Sequence, residues 1–577
     1  MTCRKIQNAA VPTLGLGSLL GATSLVLAVH AQSSLLAAIP DPCDLTEDGW
    51  LMPMDLDEGA SNEEWLRFGW ESFIAMNWPH QPGGQGGEPN KNLSICDSIA
   101  PDFDTAWYTY NQKMQLFQTN ATAPGQWSNP TLPVPTHEYD GDEYRIFGMP
   151  AKASSFIDEL LAGAPIDLFD EAGSNAPLFD QNGKIVLFEI YVNESFWTYI
   201  QQFQYYDRLI QKNAVADDAF VGFPMTGQAS DPGMNGVEIP DYAQQGAMSV
   251  KVSWKQLTDE EVESDRFYTR EVYYRNSNGI SICSDGGEPV TIGLIGMHIL
   301  RLTPNTGSTW FWSTFEHVDN VTVGHGANAP ATPSLNPGLG SDCPPPYAGG
   351  YTCVDSCTNT NGSSVGCAPE EVTETSYPDG VCEPLMDNIP NVSRVVPIST
   401  EIEAVNAEYQ AVLAGTPWAF YKQINTLQPA SLEDAPICSD GNAAHVPNGN
   451  PADDYGLSNL MNTCDLTNTS METYTQADTS CISCHAYATP VLADDQKYNG
   501  LPINTEYQVF TFLMSDAKNN CPSDINLSGY VNIHDILYVL DNWGYCEGYC
   551  IADVDQDGHY IDVNDLLLVL RDWGACE

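Results

Sequence analysis

From Asn62 to Trp78 the apolar residues return at helical spacing, with Trp65, Phe68, Trp70, Phe73, Ile74 and Met76 on one aromatic-rich stripe. That pattern predicts an amphipathic helix whose stripe is buried. Similar spacing predicts helices over 151–164, 194–211 and 400–414. Between them, runs dense in β-branched and aromatic residues at 184–192, 247–254, 290–302 and 309–315 predict strands. Helices and strands interspersed in this way imply an α+β main body with much of its core in sheet.

The ends and middle of the chain read differently. Residues 1–31 combine Arg4 and Lys5 with an apolar run over 14–29 and a small-residue cleavage pattern, Val29-His30-Ala31, which predicts a secretory signal peptide. Gly15, Gly17 and Gly21 interrupt the run and weigh against a permanent anchor. Export to a periplasm, a cell surface or the medium follows, with no transmembrane span in the mature chain. Residues 323–382 are rich in Gly, Pro, Ser, Asn and Thr and carry Cys343, Cys353, Cys357, Cys367 and Cys382, predicting a disulfide-stapled surface insertion. The body is expected to span 32–517 and a terminal module 518–577.

Charge narrows the partners. With 76 acidic against 21 basic residues the formal net charge is -55. Such a field repels nucleic acid and anionic membranes, favours solubility and suits divalent cations.

The motif with the sharpest chemistry is Cys481-Ile482-Ser483-Cys484-His485. C-x-x-C-H is the pattern through which haem c is covalently attached: two thiols form thioethers to the vinyl groups and the adjoining imidazole becomes the proximal iron ligand. A C-x-x-C disulfide and half of a zinc site are the competing readings. Setting aside Cys3, Cys481 and Cys484 from the 17 cysteines leaves an even 14, suited to disulfides in an oxidising compartment. Candidates for the distal side of the iron are His317 first, for its polar neighbours Glu316, Asp319 and Asn320, then His298, with Met297, Met471 and Met514 behind them. If His317 is distal but unligated, it and Glu316 are candidate acid–base groups toward an oxidant.

After the motif the chain repeats itself. Asp524, Asn526, Ser528, Asn532 and Asp535 fall at calcium-loop positions one, three, five, nine and twelve, ahead of an apolar helix. A second copy offers Asp553, Asp555 and Asp557, but an extra residue before Asp562 and Asp565 puts both one place late and leaves its terminal ligand open. Up to two calcium ions are expected.

This tandem arrangement, Cys521 to Glu577, resembles the dockerin family of duplicated calcium-loop modules. The resemblance implies a small all-α module that docks onto a cohesin-type protein, often in assemblies that degrade polysaccharide. Pairings of Cys521 with Cys546 and Cys550 with Cys576 are expected to clamp each repeat. The body resembles large single-haem secreted cytochrome c family proteins through Trp70-Glu-Ser-Phe-Ile-Ala-Met-Asn-Trp-Pro79, Gly293-Leu-Ile-Gly-Met-His-Ile299, Trp310-Phe-Trp-Ser-Thr-Phe-Glu-His317 and Asn468-Thr-Ser-Met-Glu-Thr-Tyr474. That likeness carries haem attachment to Cys481, Cys484 and His485 and brings no settled activity. Three functions stand as expectations: electron transfer by an exported c-type cytochrome, peroxidase-like haem oxidoreduction at an open iron site, and a scaffold-associated binding protein.

Overall fold

The computed structural model describes most of residues 50–147, 178–321 and 397–427, then 466–473, His485, 511–518 and most of 521–576, with a few single residues and pairs between these stretches. The expected signal at 1–31, the expected helix at 151–164 and nearly all of the insertion at 323–382 lie outside the described residues. Among those described, the body is mixed α+β, and no helix is long and apolar enough to cross a membrane.

Helix α1 (Asn62–Met76) starts where Ser61 and Glu64 cap each other reciprocally: the Ser61 hydroxyl accepts from Glu64 N at 3.3 Å and the Glu64 carboxylate accepts from Ser61 N at 2.7 Å. The expected helix over 194–211 is instead two, α3 (Glu194–Gln202) and α4 (Arg208–Ala216), after the short α2 (Lys113–Leu116). Gln204 takes a left-handed φ of 55°, and Asp207 then starts a new helix by accepting from Leu209 N at 2.8 Å. Among the described residues the body has two more helices, α5 (Asp259–Glu263) and α6 (Thr400–Val412).

Among the described residues, ten strands form one sheet. In chain order they are β1 (Asn111–Gln112), β2 (Thr136–Tyr139), β3 (Asp142–Phe147), β4 (Leu187–Val192), β5 (Met248–Gln256), β6 (Thr269–Arg275), β7 (Ile282–Cys283), β8 (Val290–Arg301), β9 (Phe311–His317) and β10 (Tyr421–Leu427). The sheet runs β1-β4-β5-β8-β6-β3-β2, with β7 beside β6. It forks at β8: Val290 to Gly293 pair with β6, whereas Gly296 to Arg301 pair with β9, which in turn pairs with β10. Every pairing is antiparallel except β3 with β6.

Register sorts the fork into two faces, because successive strand residues alternate sides. One face carries Met297, Ile299 and Arg301 of β8 and Phe311, Ser313, Phe315 and His317 of β9. Helix α1 lies on it, stacking Phe73 on Phe315 at 4.3 Å and wedging Trp65 and Phe68 against Phe311. Gly69 makes that approach possible, since a Cβ there would collide with Gln423 and the Ser313 hydroxyl. α6 packs beside α1, where Trp70 stacks on Tyr409 at 5.1 Å and gives its indole N–H to Asn406. Trp70, Trp78, Trp107, Trp197, Trp254, Trp310 and Trp418 are all fully buried.

The other face is polar. It presents Ser249, Lys251 and Ser253 of β5, Gly296, His298 and Leu300 of β8, and Trp312, Thr314 and Glu316 of β9.

The C-terminal segment holds α7 (Ile533–Asp541) and α8 (Val563–Arg571), with two-residue strands β11 (Tyr530–Val531), β12 (Gly544–Tyr545), β13 (Tyr560–Ile561) and β14 (Gly574–Ala575). β11 pairs with β14 and β12 with β13, so each repeat is closed by the other. Its core is small: Ile525, Val531, Val539, Ala552, Val554, Ile561 and Val569. Lys212 Nζ on α4 reaches the Asn526 carbonyl at 2.8 Å and ties the segment to the body.

Candidate functional site

A tight turn over 466–473 covers the polar sheet face. Asn468 Nδ2 donates to Thr314 Oγ1 at 2.8 Å and to the Phe315 carbonyl at 2.9 Å, Thr469 N donates to Glu316 Oε1 at 2.7 Å, and the Ser470 and Ser253 hydroxyls meet at 2.7 Å. Gly296 opens the space, because a Cβ there would run into both hydroxyls. Arg394 adds an ion pair to the other oxygen of Glu316.

The turn delivers Glu472 to His298. Glu472 Oε2 lies 3.4 Å from His298 Nε2 and also accepts from Asn468 N at 2.7 Å. Burial pushes the Glu472 carboxyl up, but the neighbouring His298 and Lys251 and the Asn468 N–H outweigh it and hold the group below its ordinary value. His298 Nε2 is itself buried and makes no well-directed hydrogen bond.

Cys481 and Cys484 lie outside the described residues, and His485 lies within them. Its half-buried ring meets Trp312 edge-on, centroids 4.4 Å apart and planes at 81°, and packs against Phe512 at 5.0 Å. Trp312 is on the same sheet face as His298, two pairs along: Leu300 faces Trp312 and His298 faces Thr314. Both flanks of the C-x-x-C pair, Glu472 before and His485 after, are therefore held on one polar face.

His317 is elsewhere. It is fully buried on the aromatic face, stacked on Phe267 at 3.9 Å, with Nε2 hydrogen-bonded to the Arg266 carbonyl at 3.1 Å and Nδ1 accepting from Asp319 N at 3.2 Å. Burial drives its pKa down to about 4 in spite of Asp319, so the ring is neutral with both nitrogens committed. Asp319 in turn clamps Arg266 through two 2.7 Å contacts. The first-ranked distal candidate is thus part of a buried corner, and its pairing with Glu316 as acid and base fails because the two side chains point to opposite faces. Among the methionines, Met297 shares the aromatic face, Met471 sits in an apolar cluster with Phe188 and Ile295, and Met514 is fully buried.

In the repeats, Asp535 and Asp565 play one role. Asp535 is buried and accepts from Asn526 N at 3.1 Å and Asn532 N at 2.8 Å; Asp565 is buried and accepts from Val554 N at 2.6 Å and Asp562 N at 2.7 Å. Asn532 and Asp562 cap α7 and α8 alike. The extra residue of the second copy is taken up before its helix, which makes Asp565 the counterpart of Asp535. Asp524 accepts from Ser528 N at 2.9 Å, and Asn526 Oδ1 is buried with no hydrogen-bond donor to it, as suits an oxygen meant for a cation. Asp553 is described; Asp555 and Asp557 are not.

The disulfide closing this segment is Cys521–Cys576, with Cα atoms 5.8 Å apart, and not the expected Cys521–Cys546 and Cys550–Cys576 pairs. The interlocked β11–β14 pairing explains the difference, because it brings the first and last cysteines together. Cys43–Cys96 is the other disulfide among the described residues. Ile533, Leu537, Leu540 and Trp543 form an exposed apolar stripe, and Val563, Leu567, Leu570 and Trp573 repeat it.

Comparison of the chain with protein-family models, with curated proteins and with solved structures finds no match.

Proposed function

We propose that this chain is an exported single-haem c-type cytochrome that passes one electron, with a calcium-binding, dockerin-like C-terminal module for attachment. The carrying observation is the placement of His485 against Trp312 on the polar sheet face, in a chain where C-x-x-C-H precedes that histidine. A haem bound there supplies a one-electron iron couple. Cys481 and Cys484 hold it by thioethers, His485 binds the iron, and Trp312 and Phe512 orient the imidazole. The half-buried His485 ring, flanked by Trp312 and Phe512, is the described donor that suits such a group.

Electron transfer is favoured over peroxidase-like chemistry because the acid–base pair proposed for the latter, Glu316 with His317, is divided between two faces and both members are otherwise engaged. The twin apolar stripes and the cation-suited Asn526 Oδ1 support docking of the terminal module to a cohesin-type partner.

The test is purification from a host that matures c-type cytochromes, followed by denaturation. Retained porphyrin absorbance on the polypeptide, lost in Cys481→Ala/Cys484→Ala, is expected. A wild-type polypeptide that releases all its porphyrin on denaturation defeats the reading.

A further inference from the structure

We infer that Arg145, on the side of the sheet away from His485, binds a small carboxylate anion, with Arg270 as the flanking cation. Register comes first. Glu189 pairs with Val252, Trp254 with Leu294, Ile292 with Arg270 and Val272 with Arg145, which puts all of them on the aromatic face. Between β4 and β3 lie β5, β8 and β6, so on a flat sheet the two strands would stand about 19 Å apart. The Arg145 guanidinium on β3 nevertheless sits 5.4 Å from the centroid of the Tyr191 ring on β4. The sheet therefore curls round this face and brings side chains from distant strands together.

Inside the curl the floor is closed and the rim is open. Glu189 and Tyr191 are sealed, with the Tyr191 hydroxyl and the Gln112 amide both donating to the Glu189 carboxylate. Arg145 is only half-buried, and Asp104, which meets Arg270, keeps 53 % of its side chain exposed. Tyr108 gathers the two cations: Arg145 lies over its ring at 4.6 Å and Arg270 at 4.8 Å.

The two arginines differ in what answers their charge. Arg270 has Asp104 Oδ1 at 3.2 Å. Arg145 takes part in no ion pair among the described residues, in a chain with 76 acidic and only 21 basic residues. Glu189 is no substitute. Burial pushes its carboxyl up to about 7, against the pull of Arg145 and of its two hydrogen bonds, so the charge that would offset Arg145 is only partly formed at neutral pH. Contact with the Tyr108 and Tyr191 rings holds the cation without neutralising it. Apart from a bond to the Tyr108 hydroxyl, its N–H edge is left to donate to a planar carboxylate through two parallel bonds.

The experiment titrates sodium acetate into the full-length chain at fixed ionic strength, with sodium chloride and inorganic phosphate as comparison anions, and follows the heat released and the melting temperature of the body. Acetate is expected to bind saturably and to raise that temperature. Arg145→Gln should weaken binding by about tenfold or more, the worth of one charge-assisted pair. Arg145→Lys should keep the charge and lose most of the affinity, whereas Arg67→Gln, which breaks an ion pair on α1, should leave binding unchanged. Binding should also weaken as pH rises through about 7, where Glu189 ionises and competes for Arg145, and Glu189→Gln should flatten that slope. Acetate that acts no differently from chloride overturns the assignment. So do phosphate that binds more tightly than acetate, a folded Arg145→Gln of unchanged affinity, and a wild-type affinity that stays level across that pH range. Circular dichroism checks the fold of each variant, and if Arg145→Gln fails to fold, the Arg145→Lys comparison decides in its place.

Discussion

The body and the terminal repeat use the same residues in opposite ways. Trp70, Trp107, Trp254 and Trp418 are sealed within the body, whereas Trp543 and Trp573 of the repeat are 49 % and 54 % exposed and each ends an exposed stripe of aliphatic side chains. A large body can bury its aromatics between a sheet and its helices. The repeat has a core of small and β-branched residues only, and holds its shape through the Cys521–Cys576 bond, interlocked short strands and carboxylates that gather backbone N–H groups. Two apolar stripes of this small unit stay in water, where the body seals its own aromatics away.

Substitutions should widen or close that contrast. Trp70→Ala is expected to cost the body about 3–5 kcal/mol, the range for emptying a buried aromatic site, seen as a large fall in its melting temperature. Joint replacement of Cys521 and Cys576 by Ser should take about 2–4 kcal/mol from the repeat while the body transition stays put in calorimetry. If one transition moves with the other, the two regions are a single cooperative unit.

Calcium probes the repeat separately. At about a hundred times its Kd the ion should add about 2.7 kcal/mol to the full chain's terminal transition, and Asp535→Ala should lose most of that gain. A gain that survives the substitution removes Asp535 from the loop.

The body carries its own pH signature. Burial pushes the Glu194 carboxyl from 4.5 up to about 7, with Oε2 lacking a hydrogen-bond partner. The unfolded chain releases this proton near the lower value while the folded chain keeps it, so stability contributed here falls as pH rises through that window. Glu194→Gln should flatten the fall in melting temperature between about pH 5 and 7. Smallest of all, Trp573→Ala should change stability by no more than about 0.5 kcal/mol, and a large loss would mean that the stripe is structural after all.

Much of the framework was legible. The 290–302 and 309–315 patterns fall within two residues of β8 and β9, and the stripe of α1 is the one that packs. What escaped was which side of a strand a given histidine takes. The expected strand ends at 315, short of Glu316 and His317; extension of β9 to His317 puts them on opposite faces by alternation alone. The proximity of His298 to Trp312 needed the β8–β9 register, which links residues distant in sequence. Continuous apolar periodicity across 194–211 hides the helix break at Gln204 and Asp207, although Asp207 followed by Arg208-Leu209-Ile210 is itself a helix-start pattern. The cysteines pair as Cys521–Cys576, not within each repeat, because cross-pairing of the two copies joins their outer ends.

The Cys521–Cys576 bond also sets the path of mechanical load. A tether gripping the α8 stripe pulls on Trp573, and tension runs through the short stretch to Cys576, across the sulfurs to Cys521 and straight into the preceding chain. Helix α7 hangs outside that line, so stretching spares it until a reductant opens the bond.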